Sequence, residues 1–475
     1  MSHSTVKKLE GHPKQVRQDR HILDDLGLTL SVGNQKFPII NFSYFGLAIE
    51  IENEDHSPAK SEKEILGTLL LENSAFQTVK LKKVRSSDQN DRLVIGFQTQ
   101  GQYIDVEKLF CFADAIRQLR EVQISSTKYS TLMPEIKFEI HELKNKLELF
   151  REKILHLEAN RLFGSVTQKA AFEESVIDTF GPAMNEAIVE SNLSLQKHFE
   201  KLTDAERPLG FEFFREQLKA LIYESVFAER SYTKPRGYAG DFEMMSIIYR
   251  DDATGKTIFS RCMEKAMQLH PEPGAVRNRV SYLKTKILNV VETIPTRLNL
   301  LAVACGPAVE IREAVKEINP KDLERIDFYL LDQDVAALRE AEKGIRVECM
   351  KLGVKEPRIH LLNINLKTVI KEGLDVPVSF DLIYSAGLFD YFTDPIARRV
   401  AEVLWGKVND DGKLVIGNFN STTPNKFGML SLFDWHLILR TEEQMKELYK
   451  FSNTRVSTEF EPNGINIFSI IDKAD

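Results

Sequence analysis

Leu298-Asn-Leu-Leu-Ala-Val-Ala-Cys-Gly-Pro-Ala308 is an apolar run that ends in a turn of small residues and leads into the helical pattern Val309 to Ile318. Four similar runs follow: Ile326-Asp-Phe-Tyr-Leu-Leu-Asp-Gln-Asp334, Arg358-Ile-His-Leu-Leu-Asn363, Phe380-Asp-Leu-Ile-Tyr-Ser-Ala-Gly387 and Gly412-Lys-Leu-Val-Ile-Gly-Asn418. Apolar strands alternating with helical segments predict a parallel sheet covered by helices on both faces. Such sheets bind ligands outside the carboxyl ends of their strands, so the residues ending each run are the candidates.

The turn Ala304-Cys-Gly-Pro-Ala308 lets a backbone approach a ligand closely and points it at a helix N-terminus. Asp332 and Asp334 end the second run where a carboxylate receives ribose hydroxyls in dinucleotide-type folds. The plainer alternative is a strand-to-helix turn with Asp334 as a helix cap.

Working outward, Asp24 to Gln102 is short and alternating, with strands at Leu28–Val32, Phe37–Ile40, Gly46–Ile51, Leu66–Leu71, Thr78–Val84 and Leu93–Phe97. Clusters such as Ser86 to Asp91 read as turns, and the whole predicts a small antiparallel barrel or sandwich followed by a helix, Val106 to Val122. Between Pro134 and Phe163, Ile136, Ile140, Leu143, Leu147, Phe150, Ile154 and Leu157 recur at spacings of three and four, which predicts one long amphipathic helix. It either pairs with a second copy as a coiled coil, giving a homodimer, or packs on the helices that follow. Those are expected at Ala170 to Leu202 and Phe211 to Arg230, with Pro208-Leu-Gly210 as a break. The domain expectation is a barrel at 12–123, a helical linker at 124–165, a helical cap at 166–285 and a Rossmann-like α/β domain at 286–475.

A formal net charge of -7 argues against nucleic-acid binding through bulk electrostatics, so DNA and RNA are not expected partners. Cys111, Cys262, Cys305 and Cys349 form no CxxC pair, which predicts neither a metal site nor a disulfide framework and suits a reducing cytoplasm. No run approaches the ~18 apolar residues of a membrane span.

Taken together, Ala304-Cys-Gly-Pro-Ala308, Leu331-Asp-Gln-Asp334, Ser385-Ala-Gly-Leu-Phe-Asp-Tyr391 and Asn418-Phe-Asn420 resemble class I S-adenosylmethionine-dependent methyltransferases, over roughly Phe211 to the C-terminus. Pro235-Arg-Gly-Tyr-Ala-Gly-Asp-Phe-Glu-Met-Met245 and Asp434-Trp-His-Leu-Ile-Leu-Arg-Thr441 are similar to the branch that makes the quorum signal 3-hydroxypalmitic acid methyl ester. The resemblance implies S-adenosyl-L-methionine as cofactor, held by Gly306, Pro307, Asp332, Asp334, Ser385, Ala386, Gly387 and Leu388, with Asn363 on the adenine side. It also implies a small or lipid-like acceptor methylated on a carboxyl group. The chain departs from the family where Ala302 replaces an acidic residue and Ala304 and Ala308 replace glycines. Arg236, Tyr238 and Asp241, in a turn able to fold over the cofactor, are the expected substitutes for the missing acid, Glu310 being too deep in its helix.

Near the acceptor, Tyr391, Asp390 and His436 are the candidates for moving a proton, although a carboxylate acceptor needs none moved. Arg440 or Arg236 is suited to an acceptor carboxylate. Phe427, Met429, Leu430, Leu432, Phe433 and Trp435 offer either an apolar wall for an acyl chain or core packing.

Arg17-Gln-Asp-Arg20 followed by Asn41-Phe-Ser-Tyr-Phe-Gly46 resembles the PilZ domain, a bacterial barrel that binds cyclic di-GMP. The resemblance implies Arg17, Arg20, Asn41, Ser43 and Gly46 as its contacts. The rival to a regulated enzyme is a non-catalytic cyclic di-GMP effector whose degenerate methyltransferase domain senses the cofactor or binds a partner.

Overall fold

The computed structural model describes residues 26–52, 58–89 and 92–473, in two compact units that divide after Thr131. The first unit is a closed barrel of β1 (Thr29–Val32), β2 (Gln35–Ser43), β3 (Gly46–Glu52), β4 (Glu64–Leu71), β5 (Ser74–Gln89) and β6 (Arg92–Thr99). Its order is β1-β2-β3-β6-β5-β4, antiparallel throughout, with β1 closing on β4. Leu30, Phe37, Ile49, Leu69, Val79, Leu81, Ile95 and Phe97 fill its interior. Ser86 to Gln89, expected as a turn, pairs with β6 and lengthens β5, and the helix that follows runs further than expected, Val106–Lys128. Arg17 and Arg20 lie outside the described residues.

The second unit opens with the long helix, Pro134–Ala159. Its stripe, Ile136, Ile140, Leu143, Leu147 and Ile154, is buried within the chain against helices Val166–Phe199, Glu206–Ile222 and Ile258–Gln268. Of the two alternatives, these five residues take the second, packing on the helices that follow, while Leu157 at the end of the predicted stripe is exposed. Pro208-Leu-Gly210 does not break the chain: Pro208 sits in the first turn of Glu206–Ile222, where no intrahelical bond needs its missing N–H. The break falls just before it, at 200–205, and a second interruption comes at Ser225, whose hydroxyl caps Val226–Thr233. Helices Phe242–Arg250 and Pro271–Thr293 complete the helical part.

A seven-stranded sheet follows. Its strands are β7 (Leu298–Val303), β8 (Ile326–Asp332), β9 (Arg358–Asn363), β10 (Phe380–Ser385), β11 (Val408–Phe419), β12 (Thr454–Phe460) and β13 (Asn466–Lys473). The order is β12-β13-β11-β10-β7-β8-β9, with β9, β8, β7, β10 and β11 parallel and β13 antiparallel to both neighbours. The antiparallel pair β12 and β13 is absent from the sequence reading. Alternate residues serve opposite layers: Leu300 and Ala302 join the layer of Leu283 and Ile287, whereas Leu301 and Val303 join that of Val400 and Leu404. The chain moves outward from β7 to β9 and then returns to β10 beside β7, so the switch point, and with it a ligand crevice, lies between the ends of β7 and β10. Among the described residues no helix is long and apolar enough to cross a membrane.

Leu147 is fully buried, so Leu147→Ala is expected to lower the stability of this unit by about 2–4 kcal/mol in chemical denaturation. Its sedimentation behaviour should not change; a shift in oligomeric state without loss of stability would favour the coiled-coil alternative.

Candidate active site

A cleft of about 520 Å³ opens where the switch point predicts one, between the ends of β7, β8 and β10 and the helical part above them. After β7, Ala304, Gly306 and Ala308 all take left-handed backbone, at φ of 51°, 51° and 47°. A side chain at Gly306 would meet nothing within 4 Å, so this turn faces open space. Asp332 fixes the turn: its carboxylate accepts from Gly306 N at 3.0 Å and Asp334 N at 2.9 Å, and burial pushes its pKa above the usual carboxylate range.

Of the residues read from sequence, Gly306, Pro307, Asp332, Tyr238, Ala386, Gly387, Leu388 and Tyr391 line this cleft. The others sit beside it. Asp334 caps helix Val335–Lys351 through Ala336 N and pairs with Arg236 at 2.9 Å. Arg236 also binds Glu243 and stacks on Phe242, tying the 235–241 turn down as a roof. Asp241 is fully buried, capping Phe242–Arg250 and pairing with Arg230, so it is a framework residue. Asn363 spends its amide on the carbonyls of Asp332 and Gln333, bracing the end of β8. Ser385 is buried behind the turn it begins.

Two candidates for the acceptor side are placed elsewhere. His436, with its side chain 71 % exposed, pairs with Asp434 and lines neither cavity. Arg440 is buried and spends its guanidinium on Asp394, Asn418 Oδ1 and the carbonyls of Phe389 and Phe392, so it organises the loop after β10 and has no hand for a ligand.

Gly240, Met245, Arg279, Gly387 and Tyr391 line both the cleft and a smaller chamber of about 50 Å³. Space is tight at two of these: a Cβ on Gly240 would meet the Tyr391 hydroxyl at 2.8 Å, and one on Gly387 the Arg279 guanidinium at 2.9 Å, so either would displace the side chain it meets. The chamber is walled by Ile248, Met267, Met429, Phe433 and Trp435, so part of the expected apolar wall lines it. Phe427 does not; it packs among Phe199, Phe211 and Phe214. Tyr391 lines both cavities and accepts a hydrogen bond from Trp435 Nε1 at 2.8 Å, and loss of solvent around its hydroxyl raises its pKa.

Sequence reasoning missed the chamber's polar floor. His270 Nδ1 meets the Asn425 amide at 3.2 Å, Asn425 N donates to Glu272, and Asn192 donates to Asn425 Oδ1. Burial lowers the His270 pKa to about 4, so the imidazole is neutral, and its Nε2 has no partner among the described residues. Arg279 was also missed and Glu310 was set aside, yet both, at 6 % and 7 % exposed, reach the cleft. Glu310, expected to be too deep in its helix, stands in the first turn of Val309–Val315 and accepts from the Tyr384 hydroxyl at 2.8 Å. Ala302, by contrast, is packed in the apolar layer at 1 % exposure.

No protein-family model matches the chain, and no curated protein matches it. Among solved structures, a protein of Bordetella parapertussis described as a possible exported protein aligns over 73% of this chain and 100% of its own, at 15% identity and a TM-score of 0.40. N-methyltransferase NodS from Bradyrhizobium japonicum WM9, in complex with S-adenosyl-L-homocysteine, aligns over 41% of this chain and 87% of its own, at 12% identity and 0.28. Magnesium protoporphyrin IX methyltransferase from Synechocystis PCC 6803, with S-adenosylhomocysteine bound, aligns over 48% and 94%, at 10% identity and 0.34.

Asp390 lines the chamber, accepts from Phe419 N at 2.5 Å, and is raised by burial to about 6. An unfolded Asp titrates near 3.9, so folding favours the acid form. That contribution is full below the unfolded value and is lost as pH rises through about 6. Asp390→Asn, which cannot ionise, should therefore gain stability relative to the parent between pH 4 and pH 8, by roughly 3 kcal/mol at most. Denaturation at the two pH values checks this; a difference that does not vary with pH would refute it.

Proposed function

We propose that the second unit is a cytoplasmic S-adenosylmethionine-dependent methyltransferase acting on the carboxyl group of a small, fatty-acid-like acceptor. The observation that carries the proposal is the cleft at the switch point, which shares five residues with a mostly apolar chamber: a polar site for a nucleoside beside a recess of about 50 Å³ suited to the reacting end of an acceptor.

The residues present suit the cofactor. Gly306 leaves the turn open to a ligand, Asp332 and Gln333 stand at the end of β8 for ribose hydroxyls, and Leu366 and Ile370 offer apolar surface for a base. When bound, S-adenosylmethionine supplies a methyl group on a cationic sulfur, open to in-line displacement. The chain's own task is then mainly to position the acceptor and exclude water. Met245, Met429, Phe433 and Trp435 do the second; Arg236, Glu243 and Asp334 do it indirectly by holding the roof closed. A carboxylate acceptor arrives ionised, which suits a chamber where the Tyr391 hydroxyl holds its proton and where His270, neutral, presents one nitrogen for an acceptor oxygen.

The rival effector reading draws on Ala302, whose methyl group fills the place of an acid. Purified protein incubated with methyl-labelled S-adenosylmethionine and a bacterial lipid extract separates the two. Label in an alkali-labile, organic-soluble product is expected; cofactor binding with no transfer to any acceptor supports the effector.

For the barrel we retain the PilZ-like reading with cyclic di-GMP as ligand. It draws support from the closed barrel and from Asn41, Ser43 and Gly46 at the β2–β3 hairpin. A Cβ on Gly46 would meet the Phe97 carbonyl oxygen at 2.3 Å, so this hairpin depends on its glycine. Calorimetry with cyclic di-GMP should show binding that Arg17→Ala, Arg20→Ala and Asn41→Ala each weaken at least tenfold; no binding to the parent would remove the dinucleotide from the account.

A further inference from the structure

Two ionisable groups of opposite type, Glu310 and Arg279, line one cleft with no counter-ion in contact among the described residues, and burial pushes the Glu310 carboxyl above its ordinary range, toward the neutral acid. The Glu310 carboxylate accepts from the Tyr384 hydroxyl and forms no ion pair among the described residues. The Arg279 guanidinium donates to the Ala386 carbonyl at 3.3 Å, the Met245 sulfur at 3.1 Å and the Tyr249 hydroxyl at 3.4 Å, all neutral acceptors. Its Nε has no partner among the described residues. Each group lies within the other's field without an ion-pair contact, and Arg279 also lies in the field of Asp390, with which it lines the smaller chamber. A buried charge is costly unless it is paired and hydrogen-bonded, so the arrangement is incomplete without something between the two groups.

A ligand that completes both must carry a cation and an anion close together. An α-amino acid zwitterion does, with ammonium and carboxylate on one carbon. We propose that Glu310 and Arg279 form a receptor for the amino-acid end of the methyl donor, with Glu310 taking the ammonium and Arg279 the carboxylate. This rests on the methyltransferase reading and deepens it. The acid missing at Ala302 has moved across the turn. Ala302 stands opposite Tyr384 in the pairing of β7 with β10, and it is the Tyr384 hydroxyl that holds the Glu310 carboxylate. Gly387 keeps the Arg279 side clear, since a Cβ there would press on the guanidinium.

Tyr238, Asp332 and Gln333 lie in the same cleft and suit the nucleoside end, so the two ends of the donor should respond to different substitutions. S-adenosylhomocysteine carries both ends, whereas 5′-methylthioadenosine has the nucleoside and sulfur without the amino acid. Titration calorimetry with both ligands on the full chain, on Glu310→Gln and on Arg279→Lys tests the assignment. The expected result is a loss of roughly 10- to 100-fold in affinity for S-adenosylhomocysteine in each variant, with methylthioadenosine changed by less than about threefold. Tyr384→Phe, which removes only the hydroxyl, should give a smaller loss of the same selectivity and serves if a charge variant fails to fold.

Equal losses for both ligands, or no loss for either in a variant that melts like the parent, would overturn the receptor and leave the methyltransferase reading standing. Failure of the parent to bind either ligand would overturn both.

Discussion

With β8 bonded along one edge of β7 and β10 along the other, and helices on both faces, the centre of the sheet has no free edge and no free face. Every residue of β8 is buried. Only the strand ends remain open to a ligand, and the return of the chain from β9 to β10 parts the connecting loops over the end of β7. The position of the cleft thus follows from the strand order. What the cleft recognises follows from the few polar groups the helices then bring to it.

Those helices are held by polar ties at their ends as well as by packing. Ser225 accepts from Ala228 N and donates to the buried Glu264, and Asp241 both caps its helix and binds Arg230. Arg440 gathers three segments around the loop after β10, including the bridge between Asn420 and its own backbone. Beneath the chamber, the amides of Asn192 and Asn425 meet across helices far apart in sequence, and Gly428 admits them, because a Cβ there would lie 2.5 Å from Asn425 Oδ1. A polar network of this kind fixes the geometry of an otherwise apolar cavity, and it leaves His270 Nε2 and Asn192 Oδ1 without partners among the described residues.

The strands of the sheet were legible because each is a near-continuous apolar run closed by small or acidic residues, and the barrel because its runs alternate. β12 and β13 escaped notice since Thr454 to Phe460 is an edge strand, largely polar, that makes sense only beside Asn466 to Lys473. Site residues at strand ends were legible for the same reason as the strands. Asp334, Asn363 and Asp241 turned out to brace the ligand-facing segments, a distinction between touching and supporting that residue type alone does not carry. Glu310 and Arg279 left fainter marks. Arg279 falls on the buried face defined by Val276, Val280, Leu283 and Ile287, and Glu310 interrupts the apolar series from Ala308 to Ile311. A charge on the wrong face of a helix was the available sign. His270 and Asn425 left none, because their meeting depends on the packing of elements separated by more than a hundred residues.

The turn after β7 holds two alanines in a backbone region that disfavours any side chain, at a cost of order 1–2 kcal/mol each. Such a shape persists only if its surroundings insist on it. Here they do, through the bonds from Cys305 N to Leu331 O, from Gly306 N to Asp332 and from Ala308 N to Cys305 O. The loop therefore need not be gathered into place by whatever enters the cleft. Its stiffness is inherited from the sheet, and alanine at both positions denies the loop the pliancy it would need to mould itself around its guest.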